Sequence, residues 1–218
     1  MSKTDGNQIL KEAYALIAEL WCAPPEADAE REEIKKEAEG VVEKVGSIDQ
    51  ESAALLSRFL NENALPEEEY VDLFELAPQC ALYLGSHTYD EPNSCANAGV
   101  SDRNGFMIEL KGIYRHFGQT PSQTELPDYL PLMVDFLALT AESKDDTVRG
   151  KFMTEYLLPF LPPMRSRLKE LKTPYLHLLE ALEKVINIDL KTQALPEPPE
   201  PELEQSEQPK QREETNVG

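Results

Sequence analysis

Apolar residues recur at three- and four-residue steps along most of the chain, and proline, glycine or capping residues cut the runs. Ile9/Leu10, Ala13, Leu16/Ile17 and Leu20/Trp21 form the first stripe, ended by Pro24-Pro25. Such spacing stacks side chains on one helical face, and the residue before a proline is disfavoured in the helical region. Thinner or richer versions follow at Ile34/Ala38/Val41/Val42/Val45, Leu55/Leu56/Phe59/Leu60, Tyr70/Leu73/Phe74/Ala77 and Phe106/Met107/Leu110/Ile113/Tyr114/Phe117. No alternation with period two persists beyond a few residues. The pattern predicts an all-α, single-domain helical bundle, packed helix on helix.

Local chemistry sets the expected boundaries. Ser47-x-x-Gln50 reads as a capping box, Pro66 suits a first helical turn, and Ser101 reads as the N-cap of a helix that Gly118 closes at C′. The stretch Glu125-Leu126-Pro127-Asp128-Tyr129-Leu130-Pro131 leads into Leu132-Met133-Val134-Asp135-Phe136-Leu137. Leu130, Met133, Val134 and Leu137 share one helical face. Asp128 is expected to be its N-cap, which places Pro131 at N3, where a missing N–H costs no helical bond. A helix from Asp145-Asp146-Thr147 should break at Pro159, another should start at Leu161-Pro162-Pro163, and Thr173-Pro174 should open the last, with Tyr175, Leu178/Leu179, Leu182 and Val185/Ile186 inward. Residues 79–100 read as a long irregular loop, which in a compact domain is usually functional. From Ala194 the chain turns to Pro and Glu with little apolar content. Such a segment cannot bury enough surface to offset its ordering entropy, so the expected organisation is a helical domain over 1–193 and an acidic, disordered tail over 194–218.

Charge narrows the function. Asp+Glu 41 against Lys+Arg 21 gives −20. Seven Glu face only Lys210 and Arg212 after Ala194, so the body is acidic too. That field repels nucleic acid and anionic lipid and draws basic partners. Cys22, Cys80 and Cys95 form no C-x-x-C pair, which fits reduced thiols in a cytoplasmic protein. The first residues read as no signal peptide, and no apolar run approaches the ~20 residues that cross a bilayer. His87, His116 and His177 are scattered, so no metal-ligand spacing arises. No nucleophile elbow, Walker A loop or dinucleotide fingerprint occurs. The expectation is a protein that binds, with no catalytic residues, metal or cofactor of its own.

Glu125-Leu126-Pro127-Asp128-Tyr129, followed by Leu-Pro-Leu and Asp135-Phe136-Leu137, resembles the E-x-P-D-H motif and following helix of the NarJ/TorD/DmsD family of redox-enzyme maturation chaperones. Tyr129 stands where many members carry His. Tyr70-x-x-Leu73-Phe74 is similar to the family's Y-x-x-L-F helix, and Asp102-Arg103-Asn104-Gly105-Phe106-Met107 to the D-R-G-x-x-M segment of its nitrate-reductase-type branch. The resemblance implies a TorD-like helical bundle. It also implies a cytoplasmic, system-specific chaperone that holds the apo catalytic subunit of a molybdopterin-dependent oxidoreductase, often by its N-terminal twin-arginine leader, until the cofactor is inserted. Under that reading Glu125 and Asp128 would be acids rimming an apolar groove, Tyr83, Tyr89 and Tyr129 its walls, and Arg103 a further ligand contact. The other reading is a general helical adaptor that recruits a partner through its Pro/Glu tail. Monomer and dimer are both compatible with the sequence.

Overall fold

The computed structural model describes residues 3–62, 67–89, 101–120 and 124–193. Helices α1 (Lys3–Leu20), α2 (Asp28–Gly46), α3 (Gln50–Glu62) and α4 (Glu67–Phe74) come first. A 3-10 turn at Leu84–His87 precedes α5 (Asp102–His116) and α6 (Leu130–Leu139). Then come α7 (Thr147–Lys151), α8 (Leu161–Leu171) and α9 (Tyr175–Gln193). The only β-type pairing among the described residues is one antiparallel bridge, Tyr83 to Tyr129. The fold is all-α, as the stripes require. The Pro/Glu tail, Pro66, Cys95 and the far half of the 79–100 loop lie outside the described residues.

Helix α1 is the hub: it packs against α6, α2 and α9, and α9 in turn packs on α3 and α8. The inward face of α6 is complete, with Leu130, Met133, Val134 and Leu137 all at 0% exposure. Truncating Leu130, Met133 or Leu137 to alanine would cost about 2–5 kcal/mol. Trp21 is fully buried, with its ring 5.9 Å from Phe74 and 5.3 Å from Tyr175. The Tyr70 hydroxyl donates to the Trp21 carbonyl at 2.8 Å, so the predicted Tyr70/Phe74 stripe closes over the end of α1.

Several boundaries follow the expected chemistry. Ser101 Oγ accepts from Asn104 N. Gly118, at φ +70°, closes α5 with Gln119 N donating to Tyr114 O (2.8 Å) and Gly118 N to Arg115 O (2.9 Å), the paired bonds of a Schellman turn. Others differ. Ser47 ends α2, its hydroxyl donating to Lys44 O, and the cap of α3 is Asp49, whose carboxylate accepts from both Ser52 N and Ser52 Oγ. A carboxylate is the stronger acceptor for the helix N-terminal amides. Pro159 does not end its helix. The path widens to a π-turn over Phe152–Leu157, tightens to 3-10 over Leu158–Phe160, and continues into α8. Widening absorbs the missing proline N–H and its clash with the preceding turn.

A buried polar cluster was not foreseen. Asp189 on α9 and Arg149 on α7 are both at 0% exposure and meet at 2.7 Å. Tyr14 on α1 donates its hydroxyl to the same carboxylate at 3.0 Å, and Lys144 reaches its other oxygen at 3.6 Å. Arg149 also donates to the Thr140 hydroxyl and the Leu137 carbonyl, both at 3.2 Å. Burial and the neighbouring Asp189 push the Tyr14 phenol well above its ordinary value.

Candidate functional site

The turn before α6 and the chain leading to the 3-10 turn lie side by side. Leu84 N donates to Asp128 O at 3.0 Å, and Leu130 N to Leu82 O at 2.9 Å, on either side of the Tyr83–Tyr129 bridge. The two tyrosine rings sit 5.4 Å apart. The Tyr83 hydroxyl donates to Glu125 Oε2 at 2.7 Å. Tyr114 of α5 donates to Pro127 O at 2.7 Å and fixes the turn from below.

Asp128 is neither the cap of α6 nor an exposed rim acid. Tyr129 precedes the helix as its N-cap residue and Pro131 falls at N2. The Asp128 side chain is 0% exposed and its Oδ2 accepts from the backbone N–H of Gly85 at 2.9 Å. Because Asp128 O and Leu130 N are engaged across the Tyr83–Tyr129 bridge, the helix starts only at Leu130. Arg103 Nη2 lies 3.8 Å from the same Oδ2 and donates to Ser86 Oγ at 3.1 Å. Burial raises the Asp128 carboxyl above its ordinary value, against the opposing pull of the Gly85 amide and Arg103. Arg103 is thus turned inward and braces the 3-10 turn.

Five of the six residues singled out from the sequence, Glu125, Asp128, Tyr129, Tyr83 and Arg103, meet in this one assembly. Tyr89 does not join it: its ring packs on Phe106 (5.6 Å) and Phe160 (5.9 Å), toward the π-turn. His87 is held by the Ala81 carbonyl at 2.7 Å.

The outer side of this assembly is acidic, and three of its acids were not foreseen. Burial lifts the Tyr129 phenol to about 12, helped by Glu125 and Glu75; burial and the bond to Glu125 lift Tyr83 to about 12. The Cys22 thiol, tucked 3.5 Å from the Ala18 carbonyl, is pushed up by burial and by Glu19, Asp135 and Glu125. Glu75, just past α4, and Glu125 of the turn therefore act on half-buried Tyr83 and Tyr129, while Glu19 of α1 and Asp135 of α6 act with Glu125 on Cys22. Glu19, Glu75 and Asp135 are exposed. Leu76 (72% exposed) and Leu126 (46%) each follow one of these acids in sequence. No signal in the sequence joins Glu19 to Glu75 or Asp135, because each is an outer-face acid of a different element.

A separate open groove of about 610 Å³ runs between α5 and α7, lined by residues such as Glu109, Ile113, Lys151 and Tyr156. None of the six predicted residues lines it. No group of three or more His, Cys, Asp or Glu among the described residues could hold a metal.

The sequence model of the family described as "Nitrate reductase delta subunit" matches residues 43–166, more than half of the chain and all six predicted residues. The chain belongs to that family. It is 28% identical over 121 residues to the nitrate reductase molybdenum cofactor assembly chaperone NarJ of Escherichia coli strain K12, covering 56% of this chain and 46% of that protein. It is 29% identical over 115 residues to a probable chaperone of the same name from Bacillus subtilis, covering 53% and 55%. To the probable nitrate reductase molybdenum cofactor assembly chaperone NarW of Escherichia coli K12 it is 26% identical over 129 residues, covering 59% and 50%. The chain spans about half the length of the curated relatives it matches. No described helix is long and apolar enough to cross a membrane.

Proposed function

We propose that this protein is a maturation chaperone for a molybdenum-containing oxidoreductase. It binds the apo catalytic subunit, through a basic and apolar segment such as its N-terminal leader, and releases it after the cofactor is inserted. The task precedes targeting, so its place is the cytoplasm. The molybdenum cofactor belongs to the client, and the chaperone does no bond chemistry. The names carried by the relatives support the client class.

The observation that carries the binding mode is an acidic patch, the pair Glu75 and Glu125 acting on Tyr83 and Tyr129, with Glu19 and Asp135 adding to the acidic field at Cys22. A guanidinium can be held by a carboxylate through two parallel hydrogen bonds and can lie over a tyrosine face. Leu76 and Leu126 offer apolar contact beside the acids. Groove and patch recognition of this kind reads a helix or strand by its anchor residues. Asp128 and Arg103 shape the patch from beneath, and Tyr89 lies outside it.

Calorimetry with a synthetic leader peptide that pairs two arginines with an apolar run tests this. Glu75→Gln with Glu125→Gln should weaken binding about 5–30-fold at low salt, two surface pairs at roughly 0.5–1 kcal/mol each. The difference should shrink as salt is added, because screening acts on exposed charges. Unchanged affinity at low salt would remove the patch from the binding site.

A further inference from the structure

We propose that Asp128 and Gly85 are a latch of positioning residues: the buried carboxylate holds the Tyr83–Gly85 segment in register against the turn, and this keeps Tyr83 and Tyr129 together as the floor of the patch. The inference rests on the binding reading only for its consequence; the latch itself is a statement about the two chain segments.

Three observations carry it. Asp128 is at 0% exposure, yet its Oδ1 has no hydrogen-bond partner among the described residues. A buried carboxylate so incompletely satisfied costs stability, so an interior that served packing alone would do better with a neutral side chain. Its other oxygen is committed to a backbone amide 43 positions away, on the segment that carries Tyr83. Third, the fit is close: a Cβ added at Gly85 would stand 2.7 Å from Asp128 Oδ2 and 3.4 Å from Arg103 Nε. Real carbon–oxygen contacts are not that short, so Gly85 is required by the carboxylate it faces and not by its backbone angles. The ionisable groups around the carboxylate are Arg103, His87, Tyr83 and Tyr114. Arg103 is the cation among them that approaches Oδ2, at 3.8 Å.

The latch has a defined signature. Tyr83 is lifted to about 12 first by its burial and its bond to Glu125, both of which need the segment in place, and to a lesser degree by the charge of Asp128, which both Asp128→Ala and Asp128→Asn remove. The test uses the full chain with ¹³C-labelled tyrosine and follows the Tyr83 titration by NMR, alongside leader-peptide affinity. Asp128→Ala should let Tyr83 fall back toward its ordinary value of 10 and weaken the peptide about tenfold, or 1.4 kcal/mol. Asp128→Asn removes the same charge but keeps an oxygen for the Gly85 amide. It should leave Tyr83 near 12 and affinity within about threefold, roughly 0.65 kcal/mol. Gly85→Ala should act like Asp128→Ala, and the double variant Gly85→Ala with Asp128→Ala should be no worse than either alone, since both changes break the same contact.

If Asp128→Ala and Asp128→Asn titrate alike, or if the Gly85 and Asp128 effects simply add, the latch is wrong. If Tyr83 responds as expected while the peptide binds no variant and not the parent protein either, the latch stands and the binding reading fails. Far-UV circular dichroism identifies any variant that has not folded. In that event Asp128→Ser, short enough to lose the Gly85 contact yet polar, takes the place of Asp128→Ala.

Discussion

Two fully buried aspartates divide the molecule. Asp189, at the α1/α7/α9 junction, meets Arg149 at 2.7 Å, Lys144 at 3.6 Å and the Tyr14 hydroxyl at 3.0 Å. Asp128, under the acidic patch, has one backbone amide at 2.9 Å, a guanidinium at 3.8 Å and one oxygen with no hydrogen-bond partner among the described residues. The burial is equal and the satisfaction is not. A carboxylate with close cations and a hydroxyl fixes the relative position of helices. A carboxylate held mainly by one amide tolerates its burial only because the segment it grips is worth holding. The first end is built for rigidity, the second for presenting a surface.

The comparison can be broken from either side. The largest effect should come from Asp189→Ala, which strands Arg149 in the interior and should cost about 3–5 kcal/mol in urea unfolding. Arg149→Met with Asp189→Leu should cost less than either single change, because no lone charge remains buried. A double variant worse than both singles would show that the cluster matters for more than charge balance. Asp128→Ala should cost less than Asp189→Ala, about 1–2 kcal/mol, since the lost Gly85 bond is offset in part by relief of a buried charge. Equal losses at the two sites would erase the contrast. Tyr14→Phe removes one donor to Asp189 and should cost about 1 kcal/mol.

The smallest and most diagnostic effect is in pH. The folded Asp128 carboxyl lies above its ordinary 3.8, so the folded state holds this proton more tightly than the unfolded chain. Its contribution to stability is therefore complete below 3.8 and is lost as pH rises through the folded value. Asp128→Asn has no such loss. Its stability relative to the parent should climb as pH is raised from about 3.8 towards neutrality, and denaturant midpoints at a series of pH values would show it. A flat or falling difference would contradict the burial assigned to this acid.

Much of the fold could be read from the chain because helix formation is written locally. The α1, α5, α6 and α9 stripes, the Ser101 cap and the Gly118 closure each depend on residues within about two turns of one another. The candidate site was half legible. Glu125, Asp128 and Tyr129 stood out because turn chemistry and acids coincide there. The bonds that join them to the rest did not: Tyr83, also singled out, lies 42 positions from Glu125, Gly85 lies 43 from Asp128, and the unforeseen Arg149–Asp189 pair is 40 apart. Asp128 looked like a helix cap because a single strand of sequence shows an acid before a helix and nothing of the amide across the gap.

The sequence by itself determined that this chain is a helical, acidic protein and which faces of its helices turn inward, because apolar periodicity and net charge are properties of neighbours and sums. It also carried enough motif to place the chain in its family. Only the tertiary structure decided that Glu75 and Glu125 act on Tyr83 and Tyr129 and that Glu19 and Asp135 act on Cys22, that Tyr89 stands apart, and that Asp128 is sealed beneath. Those outcomes depend on how helices pack across long separations, where the hydrophobic effect sets the arrangement and polar groups take whatever partners the packing brings.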